Sequence, residues 1–224
     1  MLSDRENAVP PLAVARGRWL ELQDSLLRGL THALSNRIAT VSAAAYLLEH
    51  GDMTGQQGAM QLRSETERMD GLLQLLRLLP SQDGSSLEPV VPIDVIEQSI
   101  ALHEHHSELR DVVVRVDAPS DVLPALVEPH AFMQALLLAF TSAKRVAFTH
   151  AGDVVVHVSS DPETVTIVVH SGHVVGDVEA AHTLRDAEAA SVYLRSAQGT
   201  ATPRDDGGCV ITLPTLSAAR RAGR

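Results

Sequence analysis

The feature that most restricts the fold is a proline-free run from Leu12 to His50. Within it Trp19, Leu22, Leu26, Leu30, Leu34, Val41, Ala45 and Leu48 recur at helical intervals. At 3.6 residues per turn such spacing lines one side of a helix, so the run predicts a single long amphipathic helix. Gly51-Asp52-Met53-Thr54-Gly55 then supplies turn chemistry. A second helix is expected from Gln57 to Leu79, with Met60, Met69, Leu72, Leu73, Leu76 and Leu79 on its apolar side and Pro80 closing it. Two long helices joined by a short loop form an antiparallel hairpin. One helix of a hairpin buries only part of the other. Either a second copy completes a dimeric four-helix bundle, which is the expectation taken forward, or the hairpin packs on the rest of its own chain.

The pattern changes after the polar run Ser81-Gln82-Asp83-Gly84-Ser85-Ser86. Helix is expected over Pro92–His106, a β-branched strand over Val112–Val116 and a strongly apolar helix over Pro129–Phe148. Two alternating strands, Val154–Val158 and Val165–Val169, face each other across Ser159-Ser160-Asp161-Pro162. A helix over Val178–Arg195 precedes a closing hairpin, Ala197–Thr202 with Cys209–Leu213, around Asp206-Gly207-Gly208. The fold class is therefore α+β: a helical hairpin, then one sheet covered by helices on one face. The chain divides into a leader (1–11), the hairpin (12–80), a linker (81–87), the α/β domain (88–216) and a short basic tail (217–224) read as a solvated end.

Composition narrows the function. With 224 residues, 45% of them hydrophobic, the chain can bury a real core. No run approaches a membrane span, and the first thirty residues lack a signal-peptide layout. The single Cys209 excludes an internal disulfide framework and a cysteine zinc site, consistent with a reducing cytoplasm. It falls at an inward position of its strand and reads as a small buried hydrophobe. A net charge of −10 argues against nucleic acid as partner. Seventeen of the 18 basic residues are arginine and only Lys144 is lysine, a bias that by itself carries no functional weight.

Among chemistry-bearing residues His32 stands first. It points about 200° from Leu30 around the helix, on the solvent side, with Asn36 one turn further along the same face. An accessible imidazole is a nucleophile near neutral pH. His103-Glu104-His105-His106 has metal-ligand residue types, but one turn cannot aim them all at one ion, and the run reads as a solvated helix end. Thr141, Ser142 and Lys144 lack a glycine-rich turn to make a phosphate cradle and read as helix surface.

The segment Leu26-Leu27-Arg28-Gly29-Leu30-Thr31-His32-Ala33-Leu34-Ser35-Asn36-Arg37-Ile38 resembles the H-box of two-component histidine kinases. His32, Leu34, Asn36 and Ile38 match; Ala33 replaces the acidic residue and Arg37 the proline. Glu128 to Ala143 resembles the N-box helix of the kinase ATP-binding domain, and His170-Ser171-Gly172-His173 falls where that family carries its Asp-x-Gly-x-Gly box. Val91-Pro92-Ile93-Asp94-Val95-Ile96 is similar to the start of the same domain. The resemblance spans about residues 16 to 214. It implies a Bergerat-like α/β sandwich after the hairpin, and His32 as phosphoacceptor.

The departures are as informative as the matches. Leu138 and Ser142 stand where the family has its two N-box asparagines, one a magnesium ligand. His170 replaces the adenine-reading aspartate, Val174 replaces the second glycine of that box, and no glycine-rich lid is present. Together these imply a degenerate domain with no ATP or other cofactor of its own. Loss of the acidic neighbour at Ala33 fits the same picture, since that carboxylate serves transfer from ATP. The expected function is a histidine phosphotransferase that moves a phosphoryl group between a receiver-domain aspartate and His32, with Asn36 assisting and the receiver bringing Mg2+. Leu27, Arg28, Thr31 and Ser35 are the candidate receiver contacts. Expected partners are receiver domains, a hybrid histidine kinase and a second copy of the chain, with neither nucleic acid nor membrane. A non-catalytic pseudokinase module that binds receivers or kinases is the alternative, and an atypical active kinase the second.

Overall fold

The computed structural model describes residues 11–80 and 86–222. Nearly all of the expected leader and the 81–85 part of the expected linker lie outside the described residues. Helix α1 runs unbroken over Pro11–Glu49. Its end is set by Gly51, whose φ of +78° few side chains could adopt. Helix α2 (Gly55–Leu78) starts on a capping box: Thr54 Oγ1 accepts from the Gln57 N–H at 3.3 Å, and Gln57 Oε1 accepts from the Thr54 N–H at 3.2 Å.

After α2 come β1 (Glu88–Val90), α3 (Pro92–His103), β2 (Val114–Asp117), β3 (Ala125–Val127) and α4 (Pro129–Thr149). Then follow β4 (Val154–Ser160), β5 (Thr164–His170), α5 (Asp177–Leu194), β6 (Thr200–Pro203), β7 (Cys209–Pro214) and α6 (Leu216–Ala222). The main sheet has the order β2-β4-β5-β7-β6, antiparallel except for the β2–β4 pair. Alternation places Val154, Val156, Val158, Val165, Ile167, Val169, Cys209, Ile211 and Leu213 on the buried face. Thr166 and His157 lie on the other. Cys209 is buried as expected, and desolvation pushes its thiol up to about 12.

Three differences from the sequence expectation have physical causes. First, β1 and β3 form a two-stranded sheet of three residues each, too short to leave an alternation signal. Second, the tail is helical as far as Ala222. Thr215 Oγ1 accepts from the Ala218 N–H at 3.1 Å to cap α6, and Arg221 pairs with Glu163. Third, α3 ends at His103, and that histidine closes inward rather than into solvent.

The hairpin does not stand apart. Ala15, Trp19, Leu22, Leu26 and Leu30 of α1 are buried against α5 and α4, while α2 meets α3. The N-terminal half of the stripe is thus covered by the chain's own second domain. Each such leucine contributes about 1.5–3 kcal/mol by leaving water. Gly29 permits the approach: a Cβ there would sit 1.6 Å from the His105 carbonyl oxygen. The distal half differs. Ile38, Tyr46, Met60 and Leu73 are exposed, and Ala44 rather than Ala45 faces inward. On α2 the inward side carries Gly58 and Glu65 as well as Leu72, whereas Met60, expected inward, is 68% exposed. Among the described residues no helix is long and apolar enough to cross a membrane.

Candidate functional site

Two places in the molecule carry the expected chemistry: the outer face of α1 and the inner face of α4. On α1, His32 and Asn36 are exposed, four residues apart, and Asn36 Nδ2 lies 3.3 Å from His32 Nε2. With the ring proton on Nδ1, Nε2 carries the lone pair and accepts from the Asn36 amide. The ring is thereby held in a fixed orientation at the surface, and the Asn36 amide must turn aside before Nε2 can attack an incoming group. Thr31 and Ser35 flank the pair, and Ser35 Oγ donates to the Thr31 carbonyl at 2.8 Å, so its hydroxyl is partly engaged. Leu27 and Arg28 lie one turn earlier, both exposed, and Arg28 pairs with Asp24. The six residues expected here from helical spacing therefore share one continuous exposed surface.

Sequence reading missed the partner that supports this face from behind. Arg37 Nη1 reaches across the hairpin to 3.4 Å from Glu65 Oε2, and Arg68 Nη1 donates to Glu65 Oε1 at 2.8 Å. Glu65 is only 3% exposed, so an α2 carboxylate is buried opposite the turn after His32. The signal was an acidic residue on the apolar side of α2 with an arginine where the family has proline.

The inner face of α4 is sealed. Leu138 is 1% exposed, and a residual cavity of about 100 Å³ lies between α4 and α1, lined by Leu138, Thr141 and Arg145 on one side and Arg18, Leu22 and Ser25 on the other. Ser142 is buried and its hydroxyl donates to Thr183 Oγ1 of α5 at 3.0 Å. His170, at the end of β5, stacks on His157 with ring centroids 5.3 Å apart and faces Asp206. Desolvation and the nearby His157 and Arg204 hold its imidazole below the ordinary range, against the pull of Asp206. By the resemblance to histidine kinases, a magnesium nucleotide would need oxygen donors and an adenine acceptor at these three positions. Leu138 offers none, the Ser142 hydroxyl is buried against Thr183, and an imidazole stands at the third. These residues do not fit that group.

The seal is fastened by charge. Asp186 of α5, 1% exposed, accepts from Arg18 Nε of α1 at 2.9 Å, and Arg145 of α4 approaches its second oxygen to 3.7 Å. One carboxylate therefore joins three helices. Burial pushes its carboxyl above the ordinary range and Arg18 draws it back.

Two surface readings are overturned. His103 and His106 are buried, stacked 5.0 Å apart, and His103 Nε2 lies 3.0 Å from Thr141 Oγ1. Desolvation holds His103 well below its usual range and brings His106 to about 4. Thr141, Ser142 and Lys144 are likewise interior, because α3, α5 and α1 cover α4 on the sides the sheet leaves open. Among the described residues no group of three or more His, Cys, Asp or Glu side chains is placed to hold a metal ion.

No protein-family profile and no curated protein matches the sequence. Solved structures do. The chain is similar to an Acinetobacter baumannii histidine kinase, AdeS, at 16% identity over 82% of this chain and 96% of that one, with a TM-score of 0.46. Full-length ShkA, solved with AMPPNP, gives 19% identity over 88% of this chain and 47% of its own, with a TM-score of 0.45. The catalytic domain of histidine kinase ThkA, in a nucleotide-free form, gives 12% identity over 58% and 98%, with a TM-score of 0.47.

Proposed function

We propose that the protein is a histidine phosphotransferase of a two-component relay, passing a phosphoryl group between receiver aspartates through His32 without ATP. The observation that carries this reading is the exposed His32–Asn36 pair, with the imidazole oriented at the surface by the Asn36 amide. In the forward step Nε2 attacks the phosphorus of a receiver's aspartyl phosphate. The N–P bond forms, the O–P bond breaks, and the aspartate leaves as carboxylate while Nδ1 keeps its proton. The second step is the reverse, toward another receiver. The receiver brings Mg2+ to its own carboxylates, and this chain supplies a positioned imidazole.

The closed α4 face supports the ATP-independent part of the reading, since Leu138 and Ser142 are packed where nucleotide ligands would stand. The bare distal hairpin, with Ile38, Tyr46 and Met60 exposed, supports a second copy completing a four-helix bundle there. The test incubates the purified protein with a phosphorylated receiver domain from the same cell, and separately with MgATP, followed by a search for acid-labile label. Label should come from the receiver and fall at least 100-fold in His32→Ala. Label from ATP alone would make the chain a kinase. Absence of label from every cognate receiver would leave a non-catalytic binding module.

A further inference from the structure

Lys144 is the single lysine of a chain with 17 arginines, and it is fully buried on α4. Among the described residues its amine has no hydrogen-bond partner. The side chain forms part of the lining of a cavity of about 330 Å³ between α3, the 110–113 segment and the start of β2. Ile100, Val112 and Val114 give that cavity an aliphatic wall, and Glu104, Arg110 and Asp111 its charged groups. This is a different place from the sealed α4 face toward α1, with a different lining.

A buried ammonium without an acceptor must lose its proton or gain an anion. Desolvation lowers this amine to about 8, opposed by Glu104, so at pH 7 it is still mostly charged. The neighbouring His103 and His106 are held neutral by burial and offer it no counter-charge. A compact ammonium needs fewer acceptors than a guanidinium, which gives a reason for lysine at this one position. Within the lining, Asp111 is engaged by Arg110 at 3.8 Å, and Glu104 acts on Lys144 through space without bonding its amine. Glu104 and Asp111 would repel a polyanion more strongly than a single negative charge. A single carboxylate on a short hydrocarbon keeps the charge to one, suits Lys144 and the aliphatic wall, and fits the volume.

We propose that the cavity between α3 and β2 binds a small aliphatic monocarboxylate, whose carboxylate completes an ion pair with Lys144 and whose hydrocarbon lies against Ile100, Val112 and Val114. The single lysine makes the test direct. Protein carrying lysine labelled with 13C at Cε gives one side-chain resonance, which is followed during titration of the full chain with hexanoate. A saturable shift is expected, together with a rise of that resonance's titration midpoint above its ligand-free value. Lys144→Met should weaken hexanoate at least tenfold by calorimetry. Hexylammonium, inorganic phosphate and MgATP are the comparison probes, and each should bind at least tenfold more weakly than hexanoate. No saturable shift at millimolar hexanoate, equal binding by Lys144→Met, or preference for phosphate would each overturn the proposal. Should the variant fail to fold, the resonance of the unmodified protein decides alone.

Discussion

The molecule contains two kinds of histidine, and their surroundings make them chemically opposite. His32 stands on the outside of α1 with one amide beside its Nε2 and water elsewhere. His103 and His106 lie beneath α4's neighbours, stacked on one another and stripped of solvent, with protonation suppressed. Residue type is the same and the roles diverge. An imidazole proposed to attack phosphorus needs a ring nitrogen that a partner can reach, whereas an imidazole in a core serves as a flat hydrogen-bonding packer. The comparison teaches that the α4 face is held together as an interior, and the α1 face is kept as a surface.

The largest blow to that contrast is removal of the charge that fastens the interior. Asp186→Ala leaves Arg18 and Arg145 without their shared acceptor and is expected to cost about 3–5 kcal/mol. Urea unfolding should show the loss, and hydrogen exchange along α4 should quicken. An unchanged midpoint would mean that α1 is not anchored there. Next comes acid. In the folded chain His106 titrates near 4 and His103 well below its usual range, while both titrate near 6.5 when unfolded. Above pH 6.5 the stabilisation is complete. As pH falls from 6.5 toward 4 the unfolded chain takes up protons that the folded chain refuses. Roughly 3 kcal/mol should be lost on account of His106 alone. Unfolding free energies measured at pH 7.5, 6 and 5 should decline in that order, and a flat series would place these imidazoles in contact with water. The smallest effect belongs to the outer face. Asn36→Ala removes one exposed contact and should change stability by less than about 0.5 kcal/mol. It should still slow the proposed phosphoryl transfer from a receiver to His32 several-fold, and an unaltered rate would reduce Asn36 to a surface residue.

How much of this could be read from sequence follows from the same contrast. Exposure of His32 and Asn36 needs only the helical period, because the apolar stripe through Leu22, Leu26 and Leu30 fixes which side is dry. The strands from Val154 to His170 were legible because alternate residues are β-branched. What the period does not reveal is who covers the dry side. Trp19 and Leu22 dock on α5 and α4, and the clue was that the large side chains crowd the first half of α1 while alanines fill the second. The buried polar groups were illegible for another reason. Thr141 looks like surface until His103 arrives from α3, and Glu65 until Arg37 and Arg68 reach it. Each is explained by a partner distant in sequence, and local pattern carries no trace of that.

Helix α1 has a mechanical consequence. At 1.5 Å per residue its 39 residues span about 58 Å, and about half that length, from Pro11 to Leu30, is clamped along the second domain. The remainder projects as a cantilever with α2 alongside. His32 sits two residues beyond Leu30, at the root of the beam, where sideways deflection is smallest. A load applied near Tyr46 would bend the tip and leave the imidazole nearly still. A docking partner at the root would meet a target whose position is surveyed from the domain, not from the free end.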